Sequence, residues 1–360
     1  MNNRAIIAMS GGVDSSVAAY LTISQGYECV GATMKLFNNE DIGLCREDSC
    51  CSFEDTKDAK CVAAKLGMPH YVFNFSDKFE SEVIARFIDA YRHGRTPNPC
   101  IDCNRYLKFE HLLKRAEELD YDTVVTGHYA RIEWDEPRKR FLLKKAVDET
   151  KDQSYVLYSM TQDQLAHTKL PLGGLRKTQV REIAKEQGFI NADKSESQDI
   201  CFVQDGDYAT FIEQHSDLDN APGDFIDVHG KKLGTHRGII HYTIGQRKGL
   251  GVAAARPFYV KEIRMLDNTV VLCEQEGLYS KGLSADRINM IATEKLDGPA
   301  RLQVRTRYHQ EEQWATVTQT GADSLDVIFD EPQCAIAPGQ AVVLYDGDIV
   351  VGGGTIVVSD

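Results

Sequence analysis

The sequence contains no uninterrupted apolar run of about 18 residues, so it lacks a segment that could cross a membrane as a helix. Its first residues lead directly into an apolar strand pattern, and we therefore expect no export signal, no membrane partner and a cytoplasmic location. Positive charge is in deficit, because 41 Lys and Arg oppose 54 Asp and Glu for a formal net charge of −13. Taken alone, this balance argues against a nucleic-acid partner.

Positive charge is nevertheless concentrated in three segments that contain no acidic residue. These segments are residues 138–145, 230–251 and 301–309. Since contacts to phosphates need only a local patch of positive charge, the segments could form a basic track on an otherwise acidic protein. The alternative is that each segment is an ordinary solvated surface.

A turn with two glycines follows the first strand pattern. Residues 5–9 predict a buried strand, and Ser10, Gly11 and Gly12 separate it from apolar residues at helical spacing. A helix that begins at such a turn offers unpaired N–H groups and the positive end of its dipole to a phosphate. The turn is neither a Walker A loop, since no Lys follows it, nor a Gly-x-Gly-x-x-Gly loop. Asp14 would repel a bare phosphate, and we expect it to hold Mg²⁺ or to cap the helix.

An ordinary strand-to-helix turn with capping serines is the simpler interpretation of two glycines. The complete string Ser-Gly-Gly-Val-Asp-Ser-Ser, however, resembles the PP-loop of the ATP pyrophosphatases, which cleave ATP between the α and β phosphates. The resemblance implies an adenylating enzyme that uses ATP and Mg²⁺. The residues it places at ATP are Ala8, Met9, Ser10, Gly11, Gly12, Val13, Asp14, Ser15, Met34 and Gly127.

Strand patterns alternate with helical patterns as far as residue 205. This alternation predicts an α/β domain at 1–205 with a doubly wound parallel sheet, in which ligands bind at the carboxyl ends of the strands. The glycine turn, Met34 and Gly127 all follow predicted strands. Short β runs broken by glycine turns then predict a small β-rich central domain at 206–277 and a C-terminal β-barrel at 278–360.

Ten cysteines in a chain without an expected export signal predict reduced thiols rather than a disulfide framework. Cys100 and Cys103 lie in residues 95–104, where two prolines predict a stiff, non-helical loop. Cys201 lies in a second predicted loop, at residues 195–202. A pair of cysteines at this spacing fits a zinc site, a redox pair or two structural thiols.

The order of several motifs extends the resemblance to the whole chain. After the PP-loop string, the sequence contains six further motifs in this order: Thr-Pro-Asn-Pro-x-x-x-Cys-Asn, Thr-Gly-His-Tyr-Ala, Lys-Asp-Gln-Ser-Tyr, Ser-Gln-Asp-Ile-Cys-Phe, Gly-Gln-Arg-Lys-Gly-Leu-Gly and Pro-Gly-Gln. Together they resemble the bacterial tRNA-specific 2-thiouridylase family. The resemblance implies that ATP adenylates the C2 oxygen of the wobble uridine, U34, in the tRNAs for Lys, Glu and Gln. Sulfur held as a persulfide on Cys201 then displaces AMP, and Cys103 releases that sulfur and forms a disulfide with Cys201.

The same resemblance implies two partners, tRNA and a sulfur donor that is either a cysteine desulfurase or a relay protein. It places Asn98, Pro99 and Cys100 at the target base. The residues that it places against tRNA are His128, Lys151, Asp152, Gln153, Arg307, Tyr308 and Gln340. The basic segments would hold phosphates of the RNA.

Cys100 departs from one version of the family pattern, since many members have Asp three residues before the nucleophile. Cys100, Cys103 and Cys201 could therefore be three ligands of a [4Fe–4S] cluster whose open iron carries the sulfur, or less readily of zinc.

Two other functions stay open: a PP-loop synthetase for a small molecule, and an RNA-binding or sulfur-carrier protein without turnover. Cys45, Cys50 and Cys51 form a further cluster to which the sequence assigns no role.

Overall fold

A computed structural model describes residues 3–37, 53–195, 200–203, 206–217, 220–253 and 255–359. The strands of this part of the chain are β1 Arg4–Ala8, β2 Glu28–Lys35, β3 His70–Asn74, β4 Thr123–Val125, β5 Arg131–Asp135, β6 Arg140–Lys144, β7 Thr168–Lys169, β8 Gly223–Asp227, β9 Lys232–His236, β10 Tyr259–Arg264, β11 Thr269–Cys273, β12 Tyr279–Met290, β13 Ala300–Arg305, β14 Gln313–Gly321, β15 Ser324–Cys334, β16 Ala341–Asp346 and β17 Ile349–Ser359. The α-helices are α1 Val13–Ser24, α2 Phe53–Lys65, α3 Ser76–Phe79, α4 Ala85–Arg92, α5 Pro99–Asp102, α6 Leu112–Glu118, α7 Ser154–Leu157, α8 Gln162–Ala166, α9 Lys177–Glu186 and α10 Tyr208–Gln214. Short π-helical segments at Glu80–Ile84 and Cys103–His111 join α3 to α4 and α5 to α6.

The first sheet is parallel throughout, with the strand order β3-β2-β1-β4-β7. Alternate residues of β1 pack on opposite faces: Ala5 and Ile7 belong to one hydrophobic cluster, and Ile6 belongs to another. Both faces are covered by helices, which explains why this strand is a continuous apolar run in the sequence. The predicted doubly wound parallel sheet is confirmed.

The C-terminal strands close into a β-barrel, as predicted. The strand order β12-β15-β14-β13-β16-β17 returns on itself because β12 also pairs with β17. The hairpin β5–β6 extends this sheet through the pairing of Ile349 with Lys144. Between the two large sheets, β10-β11-β8-β9 form a small sheet. No helix within the described residues is long and apolar enough to cross a membrane.

The prediction of a non-helical loop over residues 95–104 is wrong for its second half. Helix α5 begins at Pro99 and continues through Cys103 into the π-helical segment. Proline suits the first helical position, because its missing N–H would have no helical partner there. The side chain of Asn98 completes the start of the helix by accepting a hydrogen bond from the backbone N of Cys100 at 3.2 Å. Cys100 and Cys103 are therefore held on a helix.

The barrel is joined to α7 and to the segment before α5 by hydrogen bonds from side chains to backbone. Asn289 Nδ2 donates to the carbonyl oxygens of Tyr158 and Met160 at 2.7 and 2.9 Å. The hydroxyl of Tyr155 donates to the carbonyl oxygen of Ala341 at 2.8 Å. Gln340 Nε2 donates to the carbonyl oxygen of Thr96 at 2.9 Å, directly before the helix that carries the two cysteines. The position of this helix therefore depends on the barrel.

Candidate nucleotide and thiol site

The glycine turn after β1 is shaped by a close approach of two backbones. Gly11 has a φ of +77°, and a Cβ atom there would lie 2.3 Å from the carbonyl oxygen of Asp55. Only glycine fits this position without moving the backbone of α2. The hydroxyls of Ser15 and Ser16 both donate to the carbonyl oxygen of Gly12 at 3.0 Å. The N-terminus of α1 therefore faces the predicted phosphate position in a fixed conformation.

Asp14 does not cap α1, whose N-cap is Gly12 without a side-chain cap. Both carboxylate oxygens of Asp14 accept hydrogen bonds from Lys177 Nζ at 2.8 Å, and Oδ1 also accepts one from the hydroxyl of Tyr129 at 2.7 Å. A carboxylate beside a phosphate-binding turn fits Mg²⁺, which protein sites hold through one or two carboxylates and the phosphates of the substrate. Sequence patterns missed Lys177, because it follows Asp14 by 163 positions.

Gly127 presses against the start of α1 from the neighbouring strand β4. A Cβ atom on Gly127 would lie 2.8 Å from both the carbonyl carbon of Asp14 and the nitrogen of Ser15. Met34, at the end of β2, is half-buried and packs on two hydrophobic clusters. The structure thus brings the start of α1 and Gly127 into direct contact and places Met34 at the same edge of the sheet.

His128 is buried and has charged and polar neighbours on both ring nitrogens. Nδ1 lies 2.7 Å from Thr126 Oγ1, and Nε2 lies 3.5 Å from Lys108 Nζ. Burial, with a smaller contribution from Lys108, holds the pKa of His128 well below its usual value. The ring is therefore neutral, with Nδ1 hydrogen-bonded to Thr126 and Nε2 facing the ammonium group. Lys108, whose Nζ also donates to Asn104 Oδ1 at 2.9 Å, is a second cation that sequence patterns missed.

Two of the three candidate thiols lie against one hydrophobic cluster. Cys103 and Cys201 are half-buried and pack on the cluster that also contacts Met34, whereas Cys100 is exposed. Phe202 anchors the Cys201 segment, because its ring meets the rings of Phe79 and Phe87 edge-on at 5.5 and 5.3 Å. Both cysteine segments therefore pack on the same hydrophobic cluster.

The described part of the chain shows no preformed group of metal ligands. No three Cys, His, Asp or Glu side chains in the described ranges converge closely enough to hold a metal ion, and these ranges contain Cys100, Cys103 and Cys201. We therefore derive no step through an iron–sulfur cluster or zinc. Cys45, Cys50 and Cys51 lie outside the described residues, as do residues 196–199 of the second cysteine segment.

Comparison with known proteins supplies the family. Family profiles described as a tRNA methyl transferase HUP domain, a tRNA methyl transferase PRC-barrel domain and an aminomethyltransferase β-barrel domain match residues 3–205, 209–274 and 280–356. A tRNA-specific 2-thiouridylase of Clostridioides difficile is 50% identical over 356 residues, which are 99% of this chain and 98% of that protein. The chain belongs to the tRNA-specific 2-thiouridylase family.

A second 2-thiouridylase, from Acetivibrio thermocellus, is 51% identical over 98% of this chain and 99% of its own length. Among solved structures, a 4-thiouridine synthetase in complex with RNA and bound ATP covers 59% of this chain and 50% of its own, at 20% identity and a TM-score of 0.37. That score is too low to support an argument. Membership of the 2-thiouridylase family therefore rests on the full-length relatives and the family profiles.

The residues that the family resemblance places against tRNA are largely engaged within the chain. Asp152 is buried and accepts hydrogen bonds from the backbone N of Ala146 at 3.0 Å and from the hydroxyl of Ser154 at 2.7 Å. Gln153 Oε1 accepts a hydrogen bond from the backbone N of Tyr129 at 3.0 Å. These side chains hold the turn that follows the β5–β6 hairpin, beside Lys151. Their contact with tRNA stays a prediction.

The remaining predicted tRNA residues lie where the barrel meets the other two sheets. Arg307 Nη2 donates to the carbonyl oxygens of Ile244 and Ala335 at 3.0 and 2.9 Å. The ring of Tyr308 lies 5.9 Å from that of Tyr155. Gln340 faces the segment that precedes the first cysteine helix, as described above. Arg307, Tyr308 and Gln340 therefore join parts of the 2-thiouridylase chain, and their role in tRNA binding is a prediction.

More than half of the charges in the three predicted basic segments form salt bridges, and the basic track stays a prediction. Acidic residues from elsewhere neutralise them in the pairs Arg138–Asp135, Arg140–Glu294, Lys144–Glu133, Lys145–Glu312, Lys232–Asp224, Arg301–Asp330 and Arg305–Glu312. Five cations of these segments are different, because they are exposed and take part in no salt bridge among the described residues: Lys139, Lys231, Arg237, Arg247 and Lys248. Arg247 and Lys248 are adjacent in the chain, so one double replacement removes two neighbouring unpaired charges.

The contact of Gly127 with the start of α1 predicts that Gly127→Ala displaces the nucleotide loop. We expect ATP binding to weaken at least about tenfold while the thermal midpoint falls by only a few degrees, since one overpacked contact costs about 1–3 kcal/mol. Gly174→Ala is the matched control, because Gly174 is exposed and has no atom near the position of an added Cβ. Calorimetric titration with ATP and a thermal melt measure both effects, and ATP binding of Gly127→Ala at wild-type strength would contradict the assignment.

Proposed function

We propose that this chain is an ATP-dependent sulfurtransferase that converts the wobble uridine of the tRNAs for Lys, Glu and Gln to 2-thiouridine. The observation that carries the proposal is the shared hydrophobic cluster, against which Met34 of the predicted ATP site and the two half-buried thiols of Cys103 and Cys201 all pack. One side of the site is suited to adenylation, and the other supplies thiols. The relatives named 2-thiouridylases support the same function.

In the adenylation step, the C2 oxygen of uridine attacks the α-phosphorus of ATP. The bond from that phosphorus to the bridging oxygen breaks, and pyrophosphate leaves. Backbone N–H groups at the start of α1 are placed to bind the phosphates. Asp14 would hold Mg²⁺, which neutralises charge on the leaving pyrophosphate when bound. The step is needed because an amide-like carbonyl oxygen is a poor leaving group until it is part of AMP.

In the sulfur step, a donor protein with an activated sulfur loads Cys201 as a persulfide. The thiolate of Cys103 attacks the inner sulfur of Cys201, so that a Cys103–Cys201 disulfide forms and hydrosulfide leaves. Hydrosulfide attacks C2 of the adenylated uridine, and AMP departs with the former C2 oxygen. An external dithiol then reduces the disulfide. A reducing, cytoplasmic compartment fits these thiols, and the donor is a cysteine desulfurase or a relay protein.

The target uridine would enter beside the helix that carries Cys100 and Cys103. The anticodon loop is largely unpaired, so turning one base outwards costs little free energy. Asn98 and Pro99 stand at the start of this helix, where Gln340 of the barrel fixes the preceding turn. We assign these residues to the target base, and we propose domains at 1–205, 206–277 and 278–360.

Other functions explain fewer of these features. A PP-loop synthetase for a small molecule has no use for two cysteine segments packed on one cluster. An RNA-binding protein without turnover needs no Asp beside a nucleotide loop. The family profiles carry the name methyl transferase, but methyl transfer does not account for the thiols of Cys103 and Cys201.

The proposed function predicts that the purified protein, given ATP, Mg²⁺, a persulfide donor and unmodified tRNA for Glu, forms 2-thiouridine and AMP in equal amounts. Digestion of the tRNA and chromatography of its nucleosides measure the first product, and labelled ATP measures the second. A tRNA with cytidine at position 34 serves as the control and should give neither product. AMP formation that depends on a small molecule and not on tRNA would contradict the proposal.

The two-thiol chemistry predicts different effects at three neighbouring cysteines. Cys103→Ser and Cys201→Ser should each lower thiolation at least about a thousandfold, because a hydroxyl neither carries the persulfide nor reduces it. Cys100→Ser should retain most of the activity, since the exposed Cys100 thiol takes no part in the exchange. Protein freed of iron is the preparation to use. If activity returned only after anaerobic reconstitution with iron and sulfide, and was lost in Cys100→Ser, the cluster route would replace the persulfide route.

Arg247 and Lys248, two adjacent exposed cations without a salt bridge among the described residues, predict that tRNA binding is sensitive to salt despite the net charge of −13. Replacing Arg247 and Lys248 together by Gln should reduce the slope of log affinity against log salt by about 1.4 to 1.8, because each phosphate contact contributes about 0.7 to 0.9. The control is a double replacement of Arg256 and Arg264 by Gln, since these exposed arginines are paired with Glu274 and Glu262. Filter binding across salt concentrations measures both slopes. Equal slopes for the two double variants would remove Arg247 and Lys248 from the RNA surface.

A further inference from the structure

Lys177 occupies an unusual position for a lysine. It is the first residue of α9 and is buried, and its ammonium group donates to both carboxylate oxygens of Asp14 at 2.8 Å. Its own backbone N donates to Asp148 Oδ2 at 2.9 Å, which fixes the start of α9. Nζ also lies 5.6 Å from the centre of the Tyr129 ring, whose hydroxyl donates to Asp14. The ammonium group is therefore held in place at the mouth of the nucleotide loop.

The negative charge of Asp14 has to be offset by a cation if phosphates are to bind at the nucleotide loop. Asp14 is the second residue of α1, so any phosphate bound at the start of this helix meets its negative charge. The glycine turn carries no lysine of its own to offset that charge. Burying an ammonium group costs free energy unless it is paired, and Asp14 provides the pairing while the phosphates are absent. A phosphate that reaches the loop comes next to Asp14 and hence next to Lys177.

Other cations near the loop are committed elsewhere. Lys194 Nζ donates to Asp55 Oδ1 at 2.6 Å and to Asp58 Oδ2 at 2.7 Å, on the α2 side of Gly11. Arg181, one turn along α9 from Lys177, donates to the carbonyl oxygens of Ala192 and Lys194. Lys177 is thus the cation that the fold directs at Asp14.

We propose that Lys177 binds the β and γ phosphates of ATP and stabilises the pyrophosphate that leaves. In the nucleotide-free protein Asp14 and Tyr129 hold the ammonium group, and on binding of Mg²⁺–ATP the ammonium transfers hydrogen bonds from Asp14 to phosphate oxygens. Asp14 is then available to the metal ion. α9 delivers, from a distant part of the sequence, the lysine that a Walker A loop carries within its own turn. The inference rests on the proposed use of ATP at this loop.

The test compares ATP with AMP, because only ATP has the phosphates that Lys177 is proposed to bind. Lys177→Gln should weaken ATP binding about 10- to 100-fold, the range expected for loss of a charged hydrogen-bonding group, and should leave AMP binding within about twofold. Lys177→Arg, which keeps the charge, should recover part of the loss. Lys185→Gln is the matched control, since Lys185 lies on the same helix, is exposed and pairs with Asp193. Its ATP and AMP affinities should equal those of the wild type.

A purely structural role of Lys177 gives a different result. ATP and AMP would then weaken by the same factor in Lys177→Gln, or neither would weaken, and either outcome overturns the proposal. If Lys177→Gln does not fold, wild-type protein with ¹³C-methylated lysines gives the answer. The methyl signal missing from Lys177→Arg should shift with inorganic pyrophosphate and not with AMP, and a signal that stays in place with pyrophosphate contradicts the proposal.

These binding measurements test the role of Lys177 independently of the proposed thiolation reaction. A wild-type protein that discriminates ATP from AMP through Lys177, yet makes no 2-thiouridine, contradicts the proposed function and supports the role of Lys177. A wild-type protein that makes 2-thiouridine, with the ATP and AMP affinities of Lys177→Gln unchanged, contradicts the role of Lys177 alone.

Discussion

Four consecutive residues after β4, Thr126 to Tyr129, connect the parts of the candidate site. Gly127 touches the backbone at the start of α1, and His128 lies between Thr126 and the ammonium of Lys108. Tyr129 donates its hydroxyl to Asp14 and its backbone N to Gln153. Since main-chain contacts fix this segment, a shift in it would move the nucleotide loop and the polar group at His128 together. The lack of a side chain at Gly127 is the constraint that allows this packing.

Sequence patterns predicted those features that depend on neighbours along the chain. The apolar run of β1, the glycine turn and the regular spacing of apolar residues determine a parallel sheet with a phosphate loop at its edge. Features that depend on distant residues escaped prediction: Lys177 reaches Asp14 across 163 positions, and β6 pairs with β17. The helical start at Pro99 was missed for a local reason, because Pro is common both in loops and at the first position of a helix.

The basic segments show why local charge is a weak guide to a binding surface. Lys145 and Arg305 come from different segments, yet both pair with Glu312, which lies outside either of them. Folding therefore converted much of an apparent excess of positive charge into internal ion pairs. The positive charge that is available to bind RNA depends on the exposure and pairing of each side chain, and a count of charges along the sequence contains neither. Arg247 and Lys248 meet both conditions among the described residues, as do Lys139, Lys231 and Arg237, and the sequence alone did not distinguish them from their paired neighbours.

The two lysines that sequence patterns missed have different partners within the candidate site. Lys177 neutralises Asp14 at the phosphate end, while Lys108 stands beside a neutral imidazole and Asn104, the residue after Cys103. Burial of an ammonium group costs free energy unless a partner offsets it, and each of these two lysines has polar partners of its own. The nucleotide loop and the helix that carries the two cysteines therefore each hold a separate lysine, and no single cation is shared between them.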